Sequence, residues 1–143
     1  MERDRTLAER YDAQAVAYRD LWAPTLRLAS VQLLRELSGE PVRRAIDVGP
    51  GVGALWSDLR VAFPSAQLLG FDRSPGMLRI APPAMAHVVA DARALPLASA
   101  SVDLALLVFM LFHLIDPIEG IREARRVVRP GGFFGTVTWG RDL

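Results

Sequence analysis

Residues 45–55 read Ala-Ile-Asp-Val-Gly-Pro-Gly-Val-Gly-Ala-Leu, and this stretch decides the fold. A short apolar run ends at Asp47, and three glycines follow it at alternate positions: Gly49, Gly51 and Gly53. A helix-compatible segment, 54–62, comes next. A strand, a tight glycine turn and a helix N-terminus in this order predict a doubly wound α/β sheet with a nucleotide-sized crevice. Glycine at the turn lets the backbone approach a ligand closely.

The glycines alone leave the ligand open, because Gly49-x-Gly51-x-x-Ala54 also satisfies the loose dinucleotide fingerprint. Asp47 helps to choose between ligands. A pyrophosphate at the helix N-terminus would meet the Asp47 carboxylate, and like charges repel there. A ligand with an ammonium group and no phosphate, such as S-adenosylmethionine (SAM), would be attracted to that carboxylate.

Four further segments follow the glycine turn in order. They are Asp72, Asp91-Ala92, the run from Leu95-Pro96 to Ser101-Val102-Asp103-Leu104, and Arg129-Pro130-Gly131-Gly132. With residues 47–53 as motif I, the chain resembles the class I SAM-dependent methyltransferases over nearly its whole length. It is nearest to the branch that methylates small molecules and quinone-like compounds. The resemblance implies an enzyme that transfers a methyl group by in-line displacement and releases S-adenosylhomocysteine (SAH).

Size and composition indicate one globular domain. The chain has 143 residues, of which 51% are hydrophobic and 23% are charged, enough for one core and too few for two domains. The net charge of +1 argues against a nucleic-acid partner. The chain has no Cys and only two His, so we expect no disulfide and no metal site.

Neither the N-terminal residues nor the apolar runs of the sequence indicate export or membrane insertion. The first residues are charged, unlike a signal peptide, and the longest apolar run, 104–112, is too short to cross a bilayer. We therefore expect a cytoplasmic protein with no membrane partner. The predicted domain is 1–143, with an N-terminal helical segment at 1–40 and an α/β core at 41–143.

The hydrophobic pattern predicts five parallel strands with flanking helices. The strands are expected at Arg44–Val48, 67–71, 87–90, Val102–Val108 and 133–139, and the helices at 7–20, 24–37, 54–62, a short stub after 74, and from Pro117 onward. The continuous apolar run of the fourth strand is typical of a strand covered on both faces. The last helix is expected to begin at the N-cap Asp116, to bury Ile118, Ile121, Ala124 and Val128, and to expose Arg122, Glu123 and Arg126.

The resemblance implies cofactor contacts at the strand ends. Asp47, Gly49 and Gly51 would hold the methionine end of SAM, with Pro50 in the same turn. Asp72 would accept hydrogen bonds from the ribose hydroxyls; the alternative for Asp72 is an N-cap of the following short helix.

The adenine would lie farther along the same edge. Arg73 and Met77 would flank it, although Met77 is also a candidate core residue. Asp91 would bind the exocyclic amine of adenine and the Ala92 amide a ring nitrogen. The alternative for Asp91 is a plain loop aspartate.

The methyl group and its acceptor would lie at the end of the fourth strand. The Val108 backbone would lie close to the sulfonium, and an oxygen, nitrogen or carbon acceptor would approach over the end 108–113. Tyr18, favoured over Tyr11, would fold over the cofactor, or else anchor a surface helix. His113 is the candidate general base, because its pKa range suits proton transfer; the alternative is a neutral packing or capping histidine.

The family fold normally continues past the fifth strand with another helix and two more strands, one of them antiparallel. Without them, the apolar segment 133–139 would be an exposed edge that attracts another chain. A fragment of a longer protein, a homodimer through this edge and a naturally shortened protein all remain open. The rival functions are a non-catalytic SAM- or SAH-binding or partner protein and a nicotinamide-dependent oxidoreductase, the latter disfavoured by Asp47.

Overall fold

Five parallel strands form a single sheet in the computed structural model, which describes residues 2–140, with side chains from 6 onward. The strands are β1 (Arg44–Val48), β2 (Gln67–Asp72), β3 (His87–Val89), β4 (Val102–Val108) and β5 (Val128–Val137), in the spatial order β3-β2-β1-β4-β5. This confirms the predicted Rossmann-like α/β sheet. Residues 1 and 141–143 of the predicted domain lie outside the described residues.

Helices connect the strands and precede β1. They are α1 (Glu2–Ala17), a π-helical turn (Tyr18–Trp22), α2 (Ala23–Leu37), α3 (Trp56–Ala62), α4 (Pro75–Arg79), a 3-10 turn (Leu111–His113) and α5 (Pro117–Val127). The first helix is longer than the one predicted at 7–20. The third begins two residues later than predicted, because the turn that follows β1 extends through residues 51–55.

The core has two layers, one on each face of β4. Leu104 and Leu106 belong to a buried cluster with side chains of α2 and α3, whereas Ala105 and Leu107 belong to a second cluster with side chains of α5. Successive side chains of a strand point to opposite faces, so a strand buried on both faces must be apolar throughout. The predicted burial of β4 is confirmed.

The predicted buried face of α5 is confirmed at Ala124 and wrong at Ile118. Ile118 is 47% exposed, and the buried residues of this helix are Gly120, Ala124 and Val127. A Cβ added to Gly120 would lie 2.7 Å from Leu114 Cδ1, so α5 packs tightly against the preceding loop at this position. The apolar residues at 118 and 121 therefore lie to the side of the true contact face.

Glu123 and Arg126 were predicted to face water, and this is also wrong. The Glu123 carboxylate accepts a hydrogen bond from the Leu95 amide at 2.7 Å, and the Arg126 guanidinium donates to the carbonyls of Leu95 and Leu97. The loop before β4 has no strand partner for these backbone groups. Polar side chains of α5 satisfy them instead.

β5 is longer at its start and shorter at its end than predicted. Val128 pairs with Val102 and Phe133 pairs with Leu104, so residues 129–132 form a bulge opposite a single residue of β4. The expected turn at 130–132 is this bulge, in which Gly131 has a φ of +77°. Within the described residues β5 is an edge strand of the sheet, and Phe134 on it is exposed.

Two classes of feature are absent from residues 2–140. None of the helices there is both long enough and apolar enough to cross a bilayer. Among the described side chains, those of residues 6–140, no three His, Asp or Glu lie close enough together to hold a metal ion.

Replacing a core leucine of β4 should destabilise the protein, whereas an exposed leucine of α2 should tolerate the same change. Leu104→Ala should lower the free energy of unfolding by about 2–5 kcal/mol, because Leu104 is fully buried between α2 and α3. Leu28→Ala, at a side chain 74% exposed, should change it by no more than about 0.5 kcal/mol. Urea denaturation measures both, and equal losses would contradict the described core.

Candidate functional site

A cleft opens at the carboxyl ends of the strands, with about 720 Å³ of open space that includes solvent at its mouth. The strand order reverses between β1 and β4, and open α/β sheets bind ligands at this point. The structure brings ten sequence-predicted site residues together in the wall of this cleft: Tyr18, Gly49, Gly51, Asp72, Arg73, Met77, Asp91, Ala92, Val108 and His113.

Asp47 and Pro50 were predicted with them but do not line this cleft. They line an adjoining space of about 380 Å³ whose wall also includes Arg27 and Ser30 of α2. Side chains alternate along a strand, so Val48 joins the core on the α5 side while Asp47 emerges toward α2. The glycine turn lies between the two spaces, and its Gly49 lines both of them.

The glycine turn adopts a conformation that only glycine takes readily. Gly49 and Gly51 have φ values of +78° and +55°, and a Cβ at Gly49 would lie 2.8 Å from Met110 Cβ. The Gly49 amide donates to the Phe71 carbonyl at 2.7 Å, which ties the turn to the end of β2. The backbone of the turn therefore forms part of the cleft floor.

Two backbone amides hold the carboxylate of Asp72 in the cleft wall. Its Oδ2 accepts a hydrogen bond from the Gly51 amide and its Oδ1 accepts one from the Ser74 amide, both at 2.9 Å. Burial raises the pKa of Asp72, and these two amide donors oppose the rise. Ser74, not Asp72, caps α4, because the Ser74 Oγ accepts from the Met77 amide. The N-cap alternative for Asp72 is therefore wrong.

Asp91 lines the cleft as predicted, but its carboxylate already has partners. Arg93 donates from Nε to Oδ1 at 3.0 Å and from Nη2 to Oδ2 at 2.6 Å, and Arg73 lies 3.5 Å from Oδ2. The hydrogen bonds from Arg93 lower the pKa of Asp91 and keep it ionised at neutral pH. A ligand amine would share these oxygens with Arg93, and the adenine role of Asp91 stays a prediction.

Helix α1 covers one side of the cleft. Its residues Leu7, Ala8 and Tyr11 line the wall, and Asp12 anchors the helix: Asp12 Oδ1 accepts hydrogen bonds from Ser74 Oγ at 2.5 Å and from the Gly76 amide at 2.7 Å. Sequence reasoning favoured Tyr18 over Tyr11 and missed Asp12. The seven-residue spacing of the two tyrosines, about two helical turns, was the available signal that they share a face.

His113 meets Tyr11 across the cleft. Its Nε2 is hydrogen-bonded to the Tyr11 hydroxyl at 2.9 Å. Burial, together with the charge of Arg10, lowers the pKa of His113, so the ring is neutral at physiological pH. A neutral ring can accept a proton, but its Nε2 is engaged by Tyr11. The general-base role of His113 stays a prediction beside the packing role.

Phe109 is a cleft residue that sequence reasoning missed. It has a φ of +50°, and its amide donates to the Val137 carbonyl at 2.7 Å, so β5 holds this conformation at the end of β4. A positive φ in a bulky residue is strained and often marks a functional site. No local sequence signal predicts it, because the restraint comes from a neighbouring strand.

The fold and cleft define a Rossmann-like α/β protein with a ligand site at the carboxyl edge of its sheet. Residues 46–136 match a protein family described as a methyltransferase domain, and the chain belongs to this family. The match extends from β1 into β5 and includes the glycine turn, Asp72, Asp91 and His113.

Relatives of known name agree with the family. The chain is 39% identical over 137 residues to malonyl-(acyl-carrier protein) O-methyltransferase of Hahella chejuensis, covering 88% of this chain and 47% of that protein. It therefore spans about half the length of the curated relative.

Solved structures extend the comparison to the fold. A SAM-dependent methyltransferase of Thermotoga maritima shares the fold with a TM-score of 0.72 at 24% identity, over 87% of this chain and 57% of that one. The cyclase SpnF matches with a TM-score of 0.63 at 28% identity, over 76% of this chain and 44% of that one. The fold alone thus does not specify methyl transfer.

Removing the ionisable group of Asp47 should stabilise the unliganded protein at high pH. Burial, reinforced by Asp72, raises the pKa of Asp47 from 3.8 to about 7, so the folded state holds its proton more tightly than the unfolded state. Native stability is therefore lost as pH rises from about 4 to 7. Asp47→Asn should raise the free energy of unfolding by up to about 4 kcal/mol at pH 8, and by less than about 1 kcal/mol at pH 4.

Urea denaturation of wild type and Asp47→Asn at the two pH values measures this difference. Asp20→Asn, at an exposed position paired with Arg19, is the control and should give no gain at pH 8. The same Asp47→Asn effect at both pH values would contradict the raised pKa.

Adding a methyl group at Gly76 should loosen α1 from the cleft. The new Cβ would lie 2.7 Å from Asp12 Cα, and backbone cannot yield there as a side-chain end could. Gly76→Ala should speed amide hydrogen exchange in α1 by roughly tenfold or more, the equivalent of losing one or two hydrogen bonds. Gly39→Ala, which meets nothing within 4 Å, is the matched control. Unchanged protection of α1 would show that Asp12 does not anchor it.

Proposed function

We propose that this protein binds SAM in the cleft and transfers its methyl group to a small-molecule acceptor. One observation carries the proposal: a half-buried carboxylate, Asp72, lies in the cleft wall within hydrogen-bond distance of the Gly51 amide of the glycine turn. In such a cleft floor, the carboxylate can accept hydrogen bonds from a ribose, and the glycine backbone leaves room for a cationic chain beside it. This floor does not suit a pyrophosphate.

Each predicted residue has a proposed role in holding the cofactor. Asp72 would accept from the ribose hydroxyls, and Arg73, Met77, Asp91 and Ala92 would surround the adenine. Gly49, Gly51 and Val108 would contact the methionine end, and Tyr18 would cover it. Asp47 and Pro50 would act from the adjoining space, where a cationic ligand would favour the ionised form of Asp47 and so draw negative charge behind the glycine turn.

The protein contributes alignment and exclusion of water. A bound SAM supplies an activated methyl group on a sulfonium that is already a good leaving group, so a positioned acceptor suffices for displacement. Helix α1, anchored through Asp12, covers the cleft, and the aromatic rings of Tyr11 and Tyr18 meet edge to face at 5.7 Å in its wall. These residues would keep water from the reacting carbon.

The edge of β5 is the proposed surface for a second copy of the chain. Phe134 and Trp139 are exposed on or just beyond this strand, and an apolar edge strand favours pairing with another chain. The resulting homodimer stays a prediction, which the mass of the protein in solution tests.

The cofactor is tested by calorimetric titration with SAH and with NAD. SAH should bind with micromolar affinity, on the order of −8 kcal/mol, and NAD should not bind. Asp72→Ala should weaken SAH binding by roughly 1–3 kcal/mol through the loss of charge-assisted hydrogen bonds. Asp20→Asn, far from the cleft wall, should bind as wild type does. An unchanged affinity in a folded Asp72→Ala variant would refute the ribose assignment.

A non-catalytic SAM- or SAH-binding protein is the rival function. It predicts the same titration result as a methyltransferase does. Turnover separates them: the enzyme consumes SAM and forms SAH in the presence of a methyl acceptor, whereas a binding protein holds SAM unchanged.

A further inference from the structure

A second cavity adjoins the cleft, beside the segment 108–113 over which the acceptor is expected to approach. Its open space of about 770 Å³ includes solvent at the mouth, and it shares four wall residues with the cleft: Tyr11, Tyr18, Phe109 and His113. We call it the aromatic cavity. Because the hydrogen-bonded pair of Tyr11 and His113 belongs to both walls, a ligand in one space would lie directly beside a ligand in the other.

Three more aromatic rings lie in the rest of this wall. Trp22, Phe112 and Trp139 join the shared residues, and Phe109 packs against Trp139 with ring centroids 4.8 Å apart. Trp22 and Trp139 are 55% and 54% exposed, although rings of this size are usually covered. Large apolar rings gathered around an open space mark a binding site for a flat apolar group.

The charge of the aromatic cavity is opposite to that of the cleft. Arg10 lies in its wall, and no Asp or Glu does among the residues that the structure describes. The positive charge of Arg10 reaches into the cavity: it lowers the pKa of His113 together with burial, and it opposes the rise that burial gives to the pKa of Tyr11. The cleft, in contrast, carries two carboxylates, Asp72 and Asp91, against one guanidinium, Arg73.

We propose that the aromatic cavity is the methyl-acceptor site and that it takes a planar aromatic acid, with its rings between the aromatic side chains and its anionic group near Arg10. This inference rests on the proposed function, since it needs a methyl donor in the neighbouring cleft. The opposite charges of the two spaces sort the two ligands: the cleft favours a cation and the cavity an anion. Tyr11, Tyr18, Phe109 and His113 form the boundary at which the two ligands meet.

Tryptophan fluorescence tests the site directly. Two of the three tryptophans, Trp22 and Trp139, line the cavity, whereas Trp56 is buried in the core beside α2. Three probes separate shape from charge: 2-naphthoate is flat and anionic, 2-naphthamide is flat and neutral, and cyclohexanecarboxylate is anionic without an aromatic ring. With SAH present, 2-naphthoate should quench the fluorescence and bind about tenfold more tightly than either of the others.

A matched pair of arginine variants tests the anionic contact. Arg10→Gln should abolish the preference for 2-naphthoate over 2-naphthamide while leaving the affinity for 2-naphthamide unchanged. Arg122→Gln, at an exposed position on α5, should keep the wild-type preference. Trp139→Phe should remove much of the quenching and so locate the probe.

Other outcomes would overturn the proposal. Equal affinity for the three probes, an unchanged preference in Arg10→Gln, or displacement of SAH by 2-naphthoate would each do so. Loss of 2-naphthoate binding as the protein concentration rises would assign the cavity to a second copy of the chain. Calorimetry with SAH keeps the two proposals apart: if SAH does not bind, the proposed function fails, while titration of the probes without SAH still reports on the aromatic cavity.

Discussion

The hydrogen bond from the Gly51 amide to the Asp72 carboxylate is the contact on which the rest of the site depends. It joins the turn after β1 to the end of β2 and leaves both groups in the wall of the cleft. The turn can reach Asp72 only because its glycines take positive φ values. One backbone conformation therefore sets both the shape of the cleft floor and the place of its main carboxylate.

Buried negative charge is the main electrostatic cost of this arrangement. Burial raises the pKa of both Asp47 and Asp72. The neighbouring Asp72 raises the pKa of Asp47 further, to about 7. Ionised carboxylates in such surroundings are unfavourable unless a cation or hydrogen-bond donors meet them. A strained, acidic site in the unliganded protein is consistent with a ligand that brings positive charge.

The N-terminal helix converts this open edge into an enclosed site. Asp12 attaches α1 to the beginning of α4, and Tyr11 on the preceding position reaches His113 after β4. These contacts join residues more than sixty positions apart in the chain. They also divide the space over the sheet into an acidic cleft and a basic, aromatic cavity, which a sheet without α1 would not possess.

The sequence by itself determined the α/β class, the five strands and ten cleft residues, because strand ends, glycine turns and apolar runs are local patterns. Tertiary structure decided the rest. It moved Asp47 out of the cleft wall, paired Asp91 with Arg93, and shifted the buried face of α5. The strained φ of Phe109 likewise depends on β5. Such features arise from contacts between residues distant in the chain. A local sequence pattern predicts a strand, a turn or a helix, but it does not specify which distant side chains come into contact.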